Sequence, residues 1–236
     1  MSVNTPVDLL KGEPSKTLLA ISIPAIILNI LKAGYNIVDM FWLGQLGKEY
    51  LAGVSASVFL VWAMHGLSAL VTVGIVAGIS RNIGEGKLET ARSNTWRSLK
   101  LAFALGLLLT AFLFPLIDPL VGMIKLEPVA HKAGTEYLQI MISSTVAGFL
   151  MFALHSVMIA WGDTRTPVKV YAATFIFNIF FSPVLMLGLG PFPRLETRGA
   201  AIATVASYLL GSIIFFGVIL KNRWILFQKA RSEEHT

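Results

Sequence analysis

The sequence contains no cysteine, and only 14% of its 236 residues are charged. Without cysteine the chain has no disulfide, no thiolate nucleophile and no cysteine-based metal site. Soluble domains carry about 25% charged residues. The low charge, together with 55% hydrophobic residues, therefore favours a membrane protein. HExxH, paired-acid and Ser-His-Asp patterns are also missing, so we expect neither an enzyme nor a bound metal.

Long apolar runs fill most of the chain. Six of them have about the 20 residues that a membrane-spanning helix needs. They cover residues 17–43, 51–80, 99–117, 133–161, 168–189 and 199–220. The polar turns between them are too short to form separate domains. The sequence thus predicts an all-α membrane protein, with an N-terminal segment (1–16), one six-helix transmembrane bundle (17–220) and a C-terminal tail (221–236).

Basic residues indicate how the bundle is oriented, because lysine and arginine are enriched on the cytoplasmic side of membrane proteins. Thirteen fall in the N-terminus, the second loop, the fourth loop and the tail, against five in the other loops. Both termini are therefore expected in the cytoplasm, and membrane lipid is an expected partner of the bundle. This distribution explains the net charge of +6 without a nucleic-acid partner. The most basic loop, 81–100, is either a short helix on the inner surface or a solvated loop.

The first span carries charges that an apolar helix normally excludes. Asn29, Lys32, Asn36 and Asp39 fall within about 80° of arc at 100° per residue, and Pro24 upstream is expected to bend the helix. An ionised group at bilayer depth costs roughly 2.5–3.5 kcal/mol and usually lines a pathway or cavity. Two explanations stay open here: a functional site, or structural pairing, with Asp39 near the outer interface.

The fifth span repeats this pattern with uncharged groups. Tyr171, Thr174, Asn178 and Ser182 share one face, and Pro183 is expected to bend or break the helix. Such groups either serve a function or hydrogen-bond neighbouring helices. The single histidines His65 and His155, which lie in different spans, are interpreted as packed side chains instead of metal ligands.

Several segments resemble one known family. They are PAIILNILKAGYNIVDMFWLGQLGKEYLAGVS, IGEGKLETAR, EYLQI, GDTRTP and NIFFSPVLMLGLGPFPRLETRGAAIATVAS, which occur in this order along nearly the whole chain. Together they resemble the N-terminal lobe of the multidrug and toxic compound extrusion (MATE) family. The resemblance implies one lobe of a twelve-helix antiporter. Such an antiporter exports amphipathic or cationic drugs in exchange for protons or sodium, and has no other cofactor.

The resemblance also implies site residues. A cation site would comprise Asp39, Asn178 and Thr204, and the substrate cavity would include Lys32, Asn36, Tyr137 and Ser182. Many prokaryotic members have an aspartate where this chain has Ser182, which calls a two-acid coupling scheme into question. Lys32 is not expected at its position, and we interpret it as an internal counter-charge that favours the ionised form of Asp39.

Other interpretations remain at this point. A lipid-linked sugar or polysaccharide flippase of the same superfamily would carry more basic residues in its cavity, and a non-transporting membrane scaffold would tolerate loss of both charges. The resemblance implies a prokaryotic inner membrane and a missing C-terminal lobe as partner. The abrupt ending KARSEEHT suggests a truncated record, whose last six residues (231–236) resemble translated sequencing adapter. A dimerising half-transporter is the alternative.

Overall fold

The described part of the chain folds into α-helices. A computed structural model describes the backbone of residues 14–221 and the side chains of residues 22–221. The helices are α1 Pro14–Leu46, α2 Lys48–Gly84, α3 Leu88–Leu113, α4 Ile117–Gly122, α5 Pro128–Ser143, α6 Thr145–Ala160, α7 Arg165–Leu187 and α8 Glu196–Lys221. Most of the predicted segments 1–16 and 221–236, including 231–236, lie outside the described residues. The all-α membrane fold is confirmed.

The predicted spans correspond to these helices with one change of shape. Within the described residues, five helices are long and apolar enough to cross a membrane. The predicted fourth span, 133–161, is a pair of helices, α5 and α6, which meet at an angle of 53° around Ser144. Taken as one bent span, the pair supplies the sixth crossing. Helix α5 also begins earlier than predicted, because Pro128 occupies its first turn, where the missing N–H costs no hydrogen bond.

Both interpretations of the basic segment 81–100 are wrong. Helix α2 continues to Gly84 and α3 begins at Leu88, so only Glu85–Lys87 form a turn. Ala91, Thr95 and Leu99 are buried at intervals of four residues, which is the spacing of one helical face. The segment is helical because this buried face continues into the apolar part of α3. Of its basic residues in α3, Arg97 and Lys100 are exposed, whereas Arg92 is buried.

Pro183 does not end its helix as expected. Helix α7 runs through Pro183 to Leu187, and Pro24 likewise lies inside α1. Contacts with α1 and α8 along its length hold α7 in helical form despite the missing proline N–H. The helix ends at Gly188, whose φ of 72° lies in the left-handed region that glycine adopts without strain. Bending at either proline stays a prediction.

Small residues let the helices approach closely. A Cβ added to Gly53 of α2 would lie 2.1 Å from the Ala130 carbonyl oxygen of α5, and one added to Gly199 of α8 would lie 2.6 Å from the carbonyl carbon of Leu185 in α7. Membrane helices associate largely through such close packing, because lipid supplies no hydrophobic force between them. The α2–α5 and α7–α8 pairs therefore form two tightly packed walls of the bundle.

The turns rich in basic residues lie at one end of the bundle. Ser80 Oγ donates to the Ala160 carbonyl at 3.2 Å, and Trp161 Nε1 donates to Thr95 Oγ1 at 3.2 Å, so the α2–α3 and α6–α7 turns are neighbours. At the α2–α3 turn, hydrogen bonds from Lys87 and Arg81 hold the pKa of Glu85 below its usual value. The cytoplasmic location of this end stays a prediction.

Replacing Gly53 with alanine should destabilise the bundle, because the new methyl group overlaps the α5 backbone. Overpacking of this kind costs about 1–3 kcal/mol, so we expect the thermal denaturation midpoint of the purified protein to fall by several degrees. Gly78→Ala in the same helix is the matched control, since a Cβ there meets nothing within 4 Å. Equal midpoints for the two variants would contradict the close α2–α5 contact.

Cysteine labelling can test the orientation cleanly, because the sequence contains no cysteine of its own. Lys87→Cys lies in the exposed α2–α3 turn, and Phe192→Cys lies in the exposed segment between α7 and α8. With a membrane-impermeant maleimide on intact cells, we expect labelling of Phe192→Cys only, and of both variants after lysis. Labelling of Lys87→Cys in intact cells would reverse the predicted orientation.

Candidate functional site

A cavity of about 400 Å³ lies between the helices of the described bundle. Residues of α1, α2, α5, α6, α7 and α8 line it, so every long helix except α3 contributes to its wall. Its volume falls in the range of about 300–1,000 Å³ that is typical of small-molecule sites. The lining combines aromatic side chains with a few polar and charged ones, which is the composition of a site for an amphipathic molecule.

Helix α1 presents its polar stripe to this cavity. Lys32, Asn36 and Asp39 all line the wall, at spacings of four and three residues that place them on one face. The fourth member of the stripe, Asn29, is exposed and does not line the cavity. Most of the polar face predicted from the sequence therefore belongs to the cavity wall instead of the lipid-facing surface.

The carboxylate of Asp39 joins three helices. Ser182 of α7 donates its hydroxyl to Asp39 Oδ1 at 3.2 Å, and Thr204 of α8 donates to Oδ2 at 3.4 Å. Both hydroxyl residues are buried, Ser182 completely. Within the described residues, no lysine, arginine or histidine nitrogen lies within 4.0 Å of this carboxylate. Its negative charge is thus stabilised by hydrogen bonds but not neutralised by a protein cation.

The other predicted site residues occupy two environments. Tyr137 lines the cavity as expected. Ser182 does not line it, because the side chain is buried between α1 and α7 where it reaches Asp39. Asn178, one turn before Ser182, is also fully buried and outside the lining, and neither its amide oxygen nor its amide nitrogen has a hydrogen-bond partner in the described structure. Asn178 therefore keeps a free oxygen and a free N–H in the α7 wall.

Lys32 does not form the expected pair with Asp39. The two residues are seven positions apart, which is about two helical turns or roughly 10 Å along the axis. Lys32 Nζ instead lies 5.1 Å from the ring centroid of Tyr171, in the range of a cation–π contact. The cavity consequently has an acidic region at Asp39 and a basic region at Lys32.

Several lining residues were not predicted from the sequence. His65 and His155, interpreted as packed side chains, both line the cavity, as does Tyr208. The signal was present: Thr204, Ser207 and Tyr208 recur at helical spacing on α8, as do His65 and Ser68 on α2. The polar side chains of these two spans are less strongly charged than the polar stripe of the first span, so they did not stand out in the sequence.

Oxygen atoms dominate the acidic region. The carboxylate and the two hydroxyls are ligands that suit a proton or a hard cation such as sodium. No group of three His, Asp or Glu side chains suited to a metal ion occurs among residues 22–221. The arrangement can therefore bind and release one small cation on a single carboxylate.

Comparison with known proteins identifies the family. The family model described as MatE matches residues 24–184, more than half of the chain. The chain belongs to the MatE family. The resemblance to this family, expected from the sequence, is confirmed. Among MatE relatives, the probable multidrug resistance protein NorM of Thermotoga maritima is 33% identical over 219 residues, covering 92% of this chain and 47% of its own length.

Other relatives agree on both fold and extent. The FAD transporter of Shewanella oneidensis is 29% identical over 218 residues, with 92% of this chain and 48% of its own covered. An outward-facing multidrug resistance MATE family transporter of the MOP superfamily superposes with a TM-score of 0.86 at 25% identity, over 100% of this chain and 52% of that one. The chain spans about half the length of these relatives, as expected for one lobe of a MatE transporter.

The binding pocket of a second solved relative is described by its polarity. It is a MOP superfamily transporter from Pyrococcus furiosus, whose binding pocket is described as having reverse polarity that suggests a different function. It superposes with a TM-score of 0.84 at 26% identity, over 94% of this chain and 48% of that one. The same MatE fold therefore accommodates pockets of different charge.

Removing either hydroxyl that binds Asp39 should destabilise this lobe. Ser182→Ala and Thr204→Val each remove a donor from a largely buried charge, at a cost of about 1–3 kcal/mol. We expect the thermal denaturation midpoint to fall in both variants and the loss to be smaller in an Asp39→Asn background. Ser68→Ala is the control, because its buried hydroxyl bonds only the His65 carbonyl of its own helix. Additive losses across the double-mutant cycle would contradict the contact.

Proposed function

We propose that this lobe belongs to a secondary active antiporter of the inner membrane, which exports amphipathic or cationic compounds in exchange for protons or sodium. Membership of the MatE family and the multidrug resistance names of several relatives support the general activity. The complete antiporter would contain a second lobe that closes the exposed side of the cavity. The coupling ion, the substrate class and the prokaryotic membrane are parts of the same proposal.

The observation that carries the proposal is that the Asp39 carboxylate has no protein cation beside it among the described residues. When Asp39 is ionised, its carboxylate has hydroxyl donors but no protein cation beside it among the described residues, so its negative charge is not compensated within this lobe. A proton, a sodium ion or the basic group of a substrate can each neutralise it, but not together. One carboxylate on the wall of a substrate-sized cavity is thus a point of competition between ion and substrate.

Competition at one carboxylate provides the exchange. With the cavity open outward, Asp39 takes up a proton or sodium, and the bound basic compound leaves. The proposed response is a bend of α1 near Pro24, which alters the cavity. When the cavity opens inward the ion dissociates, and the restored negative charge draws in the next substrate. The scheme requires different affinities in the two states, since a ligand shifts an equilibrium only by its differential affinity.

Ser182 makes a one-acid scheme sufficient. A serine at this position donates a hydrogen bond to Asp39 and adds no second negative charge. Two carboxylates at this distance would repel each other unless they shared a proton. With serine, the ionised form of Asp39 is stabilised directly, and ion uptake involves a single titrating group in this region.

The flippase alternative draws on Lys32 alone. Lys32 is the only lysine or arginine that lines the cavity within the described residues. Recognition of the pyrophosphate of a lipid-linked sugar normally uses several basic side chains. The cavity is instead dominated by aromatic and uncharged polar groups, which favour an amphipathic small molecule. The antiporter is therefore the better supported function.

Neutralising Asp39 should abolish coupled export. In the complete transporter reconstituted into proteoliposomes, we expect Asp39→Asn to reduce gradient-driven efflux of an amphipathic dye by at least about tenfold, because an amide cannot exchange a proton or hold sodium by charge. Proton and sodium gradients imposed separately identify the coupling ion.

A matched carboxylate serves as control for that experiment. Asp118 lies exposed in the short helix α4 and does not line the cavity, so Asp118→Asn should leave efflux unchanged. Gradient-dependent efflux that persists undiminished in Asp39→Asn would rule out the proposed role of this carboxylate and favour a scaffold or a differently coupled transporter.

A further inference from the structure

The basic region of the cavity has a lysine without a carboxylate partner. Lys32 lines the cavity, and within the described residues no acidic oxygen lies within 4.0 Å of its ammonium group. The only acidic residue among the described lining is Asp39, two helical turns away. The ammonium lies 5.1 Å from the centroid of the Tyr171 ring, which attracts the charge but accepts none of its N–H groups in a strong hydrogen bond.

Two polar atoms of residues that line the same cavity also lack partners. Tyr171 Oη and His155 Nε2 are buried, and neither has a hydrogen-bond partner in the described structure. His155 packs against the same ring, with centroids 5.5 Å apart in an edge-to-face arrangement. Lys32 and His155 therefore both contact Tyr171, and all three residues line the cavity. Buried polar groups are normally hydrogen-bonded, so these two atoms keep unused hydrogen-bonding capacity close behind the cavity wall.

The three side chains have one property in common. An ammonium group and a phenolic hydroxyl are donors, and an imidazole nitrogen donates when it carries a proton. Donors from one positive and two uncharged groups match an anionic oxygen, because charge-assisted hydrogen bonds to carboxylate or phosphate are the stronger kind. A cationic ligand would instead meet the repulsion of Lys32 at this point.

Further aromatic side chains line the same cavity. Phe152 packs against His65 and Tyr208, with ring centroids 5.1 and 6.0 Å away, and all three rings line the cavity. These faces and edges suit a flat aromatic group, since ring pairs prefer edge-to-face or offset contacts at 4.5–7 Å. A ligand held here would combine an acidic group with an aromatic ring.

We propose that Lys32, Tyr171 and His155 form a second binding site in the cavity, which takes the carboxylate or phosphate group of an aromatic substrate. The site is separate from the carboxylate of Asp39, which exchanges the coupling ion. The proposal rests on the proposed function, since it takes this cavity to be the substrate route. Among exported compounds, it assigns preference to aromatic acids, including those that also carry a basic group for Asp39.

Matched biphenyl probes can test the site by equilibrium binding, with no ion gradient present. The complete transporter in detergent is titrated by calorimetry with biphenyl-4-carboxylate, 4-phenylphenyl phosphate, the neutral biphenyl-4-carboxamide and the cationic 4-phenylbenzylamine. We expect one or both acids to bind at least about tenfold tighter than the carboxamide, in line with a charge-assisted hydrogen bond in a partly buried site. The ratio between the two acids identifies the preferred group.

Variants then assign the preference to these residues. Lys32→Met should bring the acids to within about threefold of the carboxamide, whereas Lys32→Arg, which keeps the charge, should restore most of the preference. Tyr171→Phe keeps the ring and removes the hydroxyl, and should weaken acid binding by about three- to tenfold and carboxamide binding by less, because a charged oxygen accepts the stronger hydrogen bond. Lys100→Met, an exposed lysine of α3 outside the cavity, is the matched control and should have no effect.

The outcomes separate this site from the proposed function. Equal affinities for acid and carboxamide, tighter binding of the amine, or a preference unchanged in both Lys32→Met and Tyr171→Phe would overturn the site. In the last case the second lobe supplies the anion-binding groups or neutralises Lys32. Asp39→Asn should retain the acid preference while losing coupled efflux. If the acids show no preference over the carboxamide while efflux still depends on Asp39, this site alone is refuted. If gradient-driven efflux persists in Asp39→Asn while the acid preference is present, the antiporter alone is refuted.

Discussion

The constraint on which this lobe depends is the negative charge of Asp39 within an apolar bundle. Such a charge persists in a membrane protein only where donors or cations compensate for lost water. Ser182 and Thr204 supply two hydroxyls, and this contact requires α1 to pack against α7 and α8 along the wall of the cavity. Close packing at Gly199 fixes α8 against α7, so the two donors reach the carboxylate together. The hydrogen bonds to Asp39 therefore depend on the close packing of α7 and α8 at Gly199.

Opposite charges two turns apart on α1 divide the cavity. Among the described residues, Asp39 faces hydroxyls and has no cation beside it, whereas Lys32 faces a tyrosine ring and has no carboxylate beside it. A direct pair would have neutralised both charges and left little to attract a ligand. Held apart on one helix, each charge remains available, and a bend of α1 would change the surroundings of both at once.

Particular residues show how far sequence reasoning reached. The stripe of Lys32, Asn36 and Asp39 was predicted from helical spacing alone, because three positions on one face stay on one face in any bundle. The partner Thr204 came only from family resemblance, since the recurring polar residues of its span do not by themselves show whether a hydroxyl bonds its own helix or a neighbouring one. The α2–α3 boundary was misplaced and the expected break of α7 at Pro183 is absent, because charge content and proline are weaker determinants than the buried face that continues through them.

Composition and periodicity were enough to predict the all-α membrane class, the approximate spans, the lack of cysteine chemistry and the charges on the first helix. These follow from composition and from the period of the helix, which are local properties of the chain. Three contacts became visible only when the helices were packed together. Ser182, which does not line the cavity, bonds Asp39, and both Lys32 and His155 contact the ring of Tyr171. Contacts between helices depend on which faces pack together, and periodicity within one helix does not specify its neighbour.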